Sequence, residues 1–262
     1  MIADSCFRKL TIPPIRMDSS SLKRVKNLLF ISLETVAAAA SYELLDEKLQ
    51  RLWDKKAGNF PAEDIGKLSP RQLFSNRANL YAEFGKIVGI GAGYFLPNEA
   101  GELSLRAKAF TGEDEKQLLE SFKTLLETKF DPKNLVLCAH NGKEFHYPYL
   151  CRRMLVNGIN IPKSLQIVGK KPWEILHLDT MELWRFGDRR TSISLDLLST
   201  LFGIPSDFLT TDGSTINRAY YVDKDWALIR QHSLSEIAVL AQLYLKINNL
   251  PSIAEENITL TE

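Results

Sequence analysis

The stretch Leu135 to Arg153, LVLCAHNGKEFHYPYLCRR, places the strongest constraint on how this chain folds. An apolar run over Leu135–Cys138 is cut by His140-Asn141-Gly142. It resumes as Phe145-His146-Tyr147-Pro148-Tyr149-Leu150, with Arg152 and Arg153 behind it. Proline is tolerated in the first turn of a helix, where its missing amide is not needed, so the pattern reads as buried strand, polar loop, then helix. At such junctions in an α/β sheet, side chains leave the carboxyl end of the strand and helix amides point outward, so ligand sites collect there. The stretch is therefore a site candidate on local grounds alone.

The rest of the chain supplies the sheet and its cover. Lys26 to Val36, KNLLFISLETV, is apolar except at Ser32 and Glu34 near its end, the signature of a central strand with two polar side chains on one face, since the strand period is two. An amphipathic helix is expected from Tyr42 to Trp53, and Ser69-Pro70 reads as a cap and first helical position for a helix running to about Tyr81. Lys86–Phe95 and Gly101–Phe110 read as a hairpin around Pro97–Gly101. A helix over Glu113–Lys129 leads into the Leu135 strand. Leu176–Trp184 passes from a short strand toward a helix. SLDLLSTLFG, preceded by Thr191-Ser192, is a helix stopped by Gly203 and Pro205, and Asp225–Asn248 is one long helix. The fold class is α/β: a mixed sheet flanked by helices, in a single domain spanning residues 23–248, with a helical insertion after the first strand. Residues 1–22 are expected to form a flexible arm, with Met17 an alternative start, and residues 249–262 a C-terminal tail.

Composition narrows the partners. A net charge of +1 supplies no global field for a polyanion, so any nucleic-acid contact must come from local clusters such as Arg152-Arg153, Lys170-Lys171 and Arg189-Arg190. Each of these is read equally well as a solvated face. Cys6, Cys138 and Cys151 form no metal-ligand or disulfide spacing, which points to a reducing, cytoplasmic setting. No segment approaches the length and apolarity of a membrane span or a signal-peptide core.

Several stretches resemble the 3′–5′ exonuclease superfamily with four acidic ligands and a tyrosine, in the bacterial branch similar to the proofreading domain of family B DNA polymerases. LLFISLETV resembles the first motif, normally Asp-x-Glu-Thr, and HNGKEFHYPYLCRR the second, normally Asn-x-x-x-Phe-Asp-x-Pro-Tyr-Leu. QHSLSEIAVLAQLYL resembles the third, normally Tyr-x-x-x-Asp on the last helix, and HLDTMELWRFGD with SLDLL is similar to segments between motifs. The resemblance implies a ribonuclease H-like fold. It also implies Mg²⁺ or Mn²⁺ as cofactor, because in this chemistry two cations about 3.5–4 Å apart activate a water and stabilise the leaving 3′ oxygen. Hard cations take oxygen ligands, hence the carboxylates.

The sequence departs from that pattern at four of five positions. Glu34 remains, but the first aspartate is Ser32, the second is His146, the third-motif aspartate is Glu236 and the tyrosine is His232. Glutamate moves its charge out by about 1.5 Å relative to aspartate, against a tolerance of roughly 0.5 Å for a catalytic constellation. Two readings stand. In one, catalysis is lost and a groove remains that binds nucleic acid, single-stranded, or a protein partner. In the other, Glu34, His146, His232 and Glu236 hold a single softer metal; His232 and Glu236, at i and i+4, share a helix face. Asn141, Lys143, Arg152 and Arg153 are the candidate nucleic-acid contacts, with Asn141 equally a helix cap. Glu144 reads as solvated, Asp179 as an orienting group or helix cap, and Trp173, Trp184 and Phe186 as base-stacking or core residues.

Overall fold

The computed structural model describes residue 25 and residues 27–61, 68–98, 102–188, 190, 192–206 and 213–261. The expected arm over residues 1–22 and the centre of the hairpin turn lie outside the described residues. Six strands form one mixed sheet in the order β5–β4–β1–β2–β3–β6. They are β1 (Leu28–Ala37), β2 (Gly85–Pro97), β3 (Leu103–Thr111), β4 (Val136–Ala139), β5 (Leu178–Asp179) and β6 (Ile258–Thr261). β1 is central: it pairs antiparallel with β2 and parallel with β4, and all ten of its residues are buried. A near-continuous apolar strand is what burial on both faces demands.

What sets the distance between the sheet and its main helix is glycine. Gly89, Gly91 and Gly93 of β2 lie on one face, paired respectively with Glu34, Ser32 and Phe30 of β1. Against that face packs the long helix α8 (Trp226–Ile247). A Cβ on Gly91 would fall 2.4 Å from the Ser32 hydroxyl, 2.8 Å from Ile237 and 2.9 Å from the Ser233 carbonyl. On Gly93 it would fall 2.4 Å from Ile237. Strand glycines commonly mark such a close approach. Here the approach carries Ser233 of α8 down to the side chains of β1. Phe30, Phe95, Leu240 and Tyr244 complete the core on this side.

The other face is covered by α3 (Glu115–Thr128) and α4 (Tyr147–Val156), whose Leu119, Phe122, Leu150 and Met154 bury Leu29, Ile31 and Leu33 of β1. Beyond the end of β1, α1 (Glu47–Ala57) and α2 (Pro70–Arg77) enclose Trp53, which makes edge contacts with Phe74 and Phe84 and donates its indole N–H to the Pro70 carbonyl at 2.7 Å. α2 opens as expected, with Ser69 and Gln72 in a reciprocal capping box before Pro70. α5 (Thr180–Arg185), α6 (Leu195–Leu201) and α7 (Gly213–Arg218) complete the helices.

Two expectations are corrected, and one segment without a readable pattern is placed. α1 begins at Glu47 rather than Tyr42, because Asp46 accepts from the amides of Lys48 and Leu49 and leaves only a 3₁₀ turn over Tyr42–Leu44. The residues after 248 do not trail away: Gln242 bonds both backbone groups of Ile253, and Ile258–Thr261 adds a parallel strand beside β3. Residues 213–223, for which no pattern was read, form α7 and a π-turn whose Tyr221 and Asn217 bond the backbone of Ala37.

If the glycine stripe fixes the seat of α8, Gly91→Ala will lower stability by about 1–3 kcal/mol, the usual cost of overpacking a full core. Gly112→Ala, where a Cβ meets nothing within 4 Å, is the matched control. Urea denaturation of both checks this, and an unchanged midpoint for Gly91→Ala would contradict it.

Candidate active site

β1 delivers Ser32 and Glu34 to the α8 face, and a register shift between Glu34 and Thr35 leaves Val88 of β2 as an extra, unpaired residue beside the carboxylate. Bulges re-aim a side chain locally. Glu34 is buried, and its Oε1 accepts from His232 Nδ1 at 2.9 Å and from the Ser233 hydroxyl at 3.0 Å. Glu236 lies one turn further along α8. Ligand atoms of Glu34, His232 and Glu236 all fall within 4.8 Å of one another, the sole such group of three metal-ligating side chains among the described residues. The Ser32 hydroxyl is turned toward the Ser233 carbonyl at 3.5 Å.

His146 enters from the neighbouring junction. β4 ends at Ala139, Asn141 adopts the left-handed conformation (φ 59°, ψ 36°), and Gly142–His146 makes a single π-turn that runs into α4. Gly142 is required: a Cβ there would meet the Tyr147 ring at 2.7 Å. The loop is held by Asp179 at the end of β5. Its carboxylate accepts from the amides of Asn141 (2.9 Å) and Lys143 (3.0 Å), and also from those of Met181 (3.0 Å) and Glu182 (3.4 Å) at the start of α5. Of the two roles expected for Asp179, orienting group and helix cap, it performs both. Two ion pairs add to the clamp, Lys143 to Glu182 at 2.6 Å and Arg185 to Glu144 at 3.3 Å.

Electrostatics separate the titratable groups. Burial pushes His146 down to about 4, outweighing the Asn141 carbonyl beside its Nδ1 and the charge of Glu34, so the ring is neutral at pH 7. His232 moves the other way. Burial opposes its charged form, but the bond to Glu34 and the charges of Glu34 and Glu236 prevail and raise it. Glu236 is raised to about 8, first by burial and then by the Glu34 charge, with His232 pulling it back. His140 and His177 are structural: His140 spans Thr180 and the Ile193 carbonyl, and His177 spans the Leu137 amide and the Ser164 carbonyl. Burial lowers both.

The structure thus brings Glu34, His232 and Glu236 together, with Ser32 and His146 beside them; His146 stands outside the three-residue cluster. The expected nucleic-acid contacts fare unevenly. Arg153 does not face solvent: its guanidinium bonds both oxygens of Glu115 (2.9 and 2.6 Å) and the Ala82 carbonyl (2.8 Å), tying α4 to α3. It is a core ion pair, because this side of α4 faces α3 and the start of β2, whereas Arg152, one position round the helix, is exposed. Lys143 is paired with Glu182, and Glu144 is solvated as read, its exposed side chain also pairing with Arg185. Asn141 makes no side-chain cap bond, and its buried Oδ1 has no hydrogen-bond partner. Trp184 packs edge-on against Phe202 beside the core, while Trp173 and Phe186 are 72% and 91% exposed. Sequence reasoning missed Ser233 as a partner of Glu34. A serine inside an apolar helix carries no signal of what it faces.

Polar groups from the central strand of a mixed sheet, from a strand-to-helix loop and from the last long helix thus meet at one place, on a fold of the PolB exonuclease type. Residues 80–257 match the family described as a predicted 3′–5′ exonuclease related to the exonuclease domain of PolB, and the chain belongs to that family. No curated protein matches the sequence. The family B DNA polymerase from the hyperthermophilic archaeon Pyrobaculum calidifontis shares the fold, with a TM-score of 0.53 and 12% identity over 84% of this chain. The chain spans 24% of that polymerase. No helix among the described residues is long and apolar enough to cross a membrane.

The raised Glu236 implies a signed pH effect. An unfolded glutamate ionises near 4.3, so between there and about 8 the folded state holds a proton the unfolded state has released. Stability contributed by Glu236 therefore falls as pH rises across that window. Glu236→Gln removes the effect, and its melting temperature relative to the parent will rise by several degrees between pH 5 and pH 8. A difference independent of pH would contradict the assignment.

Proposed function

We propose that the protein binds nucleic acid, single-stranded, through an exonuclease-type groove in which two-metal phosphodiester hydrolysis is lost or strongly impaired. The observation that carries this is the bonding of Glu34. The one carboxylate retained from the first motif accepts from His232 and Ser233, side chains of the protein itself. The donor set does not fit two Mg²⁺ ions. Hard cations favour oxygen ligands, and here two imidazoles and a neutral hydroxyl accompany two glutamates, so no catalytic step is assigned through such a pair. Reducing, cytoplasmic surroundings belong to the same proposal and suit Cys138 and Cys151, free thiols among the described residues.

Binding is supported by family membership and by Asn141. A buried acceptor without a partner costs about 1–3 kcal/mol, and a ligand that donates to Asn141 Oδ1 recovers it. Glycine keeps the left-handed backbone while deleting the amide. Asn141→Gly will therefore weaken oligonucleotide binding several-fold, measured by fluorescence anisotropy, and leave the melting temperature nearly unchanged. Equal affinity for parent and variant would remove Asn141 from the interface.

One observation favours a second reading. Glu34, His232 and Glu236 are close enough to converge on one ion of Zn²⁺ or Mn²⁺ type, and a rebuilt site of that kind would sustain 3′–5′ exonuclease activity. A 5′-labelled single-stranded oligonucleotide incubated with Mg²⁺, Mn²⁺ or Zn²⁺ separates the readings. The proposal expects full-length oligonucleotide in every metal, with binding that weakens as salt rises. A ladder from the 3′ end that Glu34→Gln abolishes would establish the rebuilt site. Absence of both cleavage and binding would leave a protein-interaction scaffold.

A further inference from the structure

The sheet face turned away from α8 carries a second feature. Along β3, Arg106, Lys108 and Phe110 share that face, opposite Tyr94, Ala92 and Ile90 of β2. α3 covers the Ile90–Phe110 end, while Arg106 and Lys108 are exposed and Tyr94 is 36% exposed. At the end of α3, Lys129 and Phe130 close the other wall; the Phe130 ring stands edge-on to Tyr94 at 6.0 Å. The groove between them encloses about 660 Å³.

Its lining combines aromatic rings with unneutralised positive charge. Among the described residues, none of Arg106, Lys108 and Lys129 has a carboxylate partner. The one acid in the wall, Asp131, instead accepts from the Lys133 amide and the Asn134 side chain of its own turn. The Lys108 ammonium sits 5.5 Å from the centre of the Phe110 ring. Protein-binding surfaces are depleted in lysine at their centres, whereas rings interleaved with cations on an open sheet suit unstacked bases joined by phosphates. A duplex, its bases already stacked, offers nothing to those rings.

We propose that this groove is a second contact for single-stranded nucleic acid, with a base against Tyr94 and backbone phosphates against Arg106, Lys108 and Lys129. It lies on the face of the sheet opposite Glu34 and goes beyond the function proposed for that site. The test uses the full chain with fluorescein-labelled 15-nucleotide poly(dT) and poly(U), read by anisotropy, and ultraviolet cross-linking with mass-spectrometric mapping. Arg106→Glu/Lys108→Glu is expected to lose at least tenfold in affinity and to flatten the salt dependence. Lys129→Glu, at an exposed position, is expected to shift both in the same direction. Cross-links are expected on Tyr94 or Phe130. Parent-like affinity in both charge reversals would overturn the proposal. Cross-links confined to His146 or His232 would also overturn it while leaving the Glu34-site reading intact; cross-links confined to Tyr94 and Phe130 would do the reverse. No binding by the parent chain would overturn both.

Discussion

The close seating of α8 on the glycine face of β2 is the contact on which the rest of the structure depends. Without side chains at Gly89, Gly91 and Gly93, the helix backbone comes within reach of β1, and Ser233 and His232 touch Glu34 directly. A helix held one side-chain layer higher would bury the same apolar residues but would leave Glu34 unpaired in the core, a costly state for a carboxylate. Packing and site chemistry are therefore one constraint here. The strand that makes the close approach possible also selects which residues of α8 meet the central strand.

That seating lets Glu34 find its partners within the protein, His232 and Ser233. Around it stand a neutral serine and a neutral buried histidine, so that Glu34 is the carboxylate bonded to the chain's own histidine and serine. The remaining carboxyl, Glu236, holds its proton up to about 8 because burial and Glu34 both disfavour its charge. The surrounding frame is tied together by Asp179, which gathers four amides from two elements, and by the ion pairs of Lys143 and Arg185 on the loop that carries His146.

Much of this was legible in the sequence. The apolar run with Ser32 and Glu34 at its end reads as a central strand, Ser69-Pro70 as a helix start, and Leu135–Arg153 as strand, loop and helix, because each pattern reflects local chemistry. The convergence of Glu34, His232 and Glu236 came from family resemblance, since nearly 200 residues separate the first from the others. What stayed hidden depends on tertiary context. Arg153 looks like a surface cation until its face of α4 is known to meet Glu115. β6 is too short to announce itself and exists only because β3 offers an open edge. The glycines of KIVGIGAGYF did carry a signal, alternation within a strand, which marks the face where something must come close.

Titration with Mn²⁺ followed by electron paramagnetic resonance, on the parent chain and on Glu34→Gln, reads how many ions the Glu34 site takes without relying on activity. No exchange-coupled ion pair is predicted at any Mn²⁺ concentration. A spin-coupled Mn²⁺ pair in the parent chain that disappears in Glu34→Gln would show that Glu34 does hold two cations.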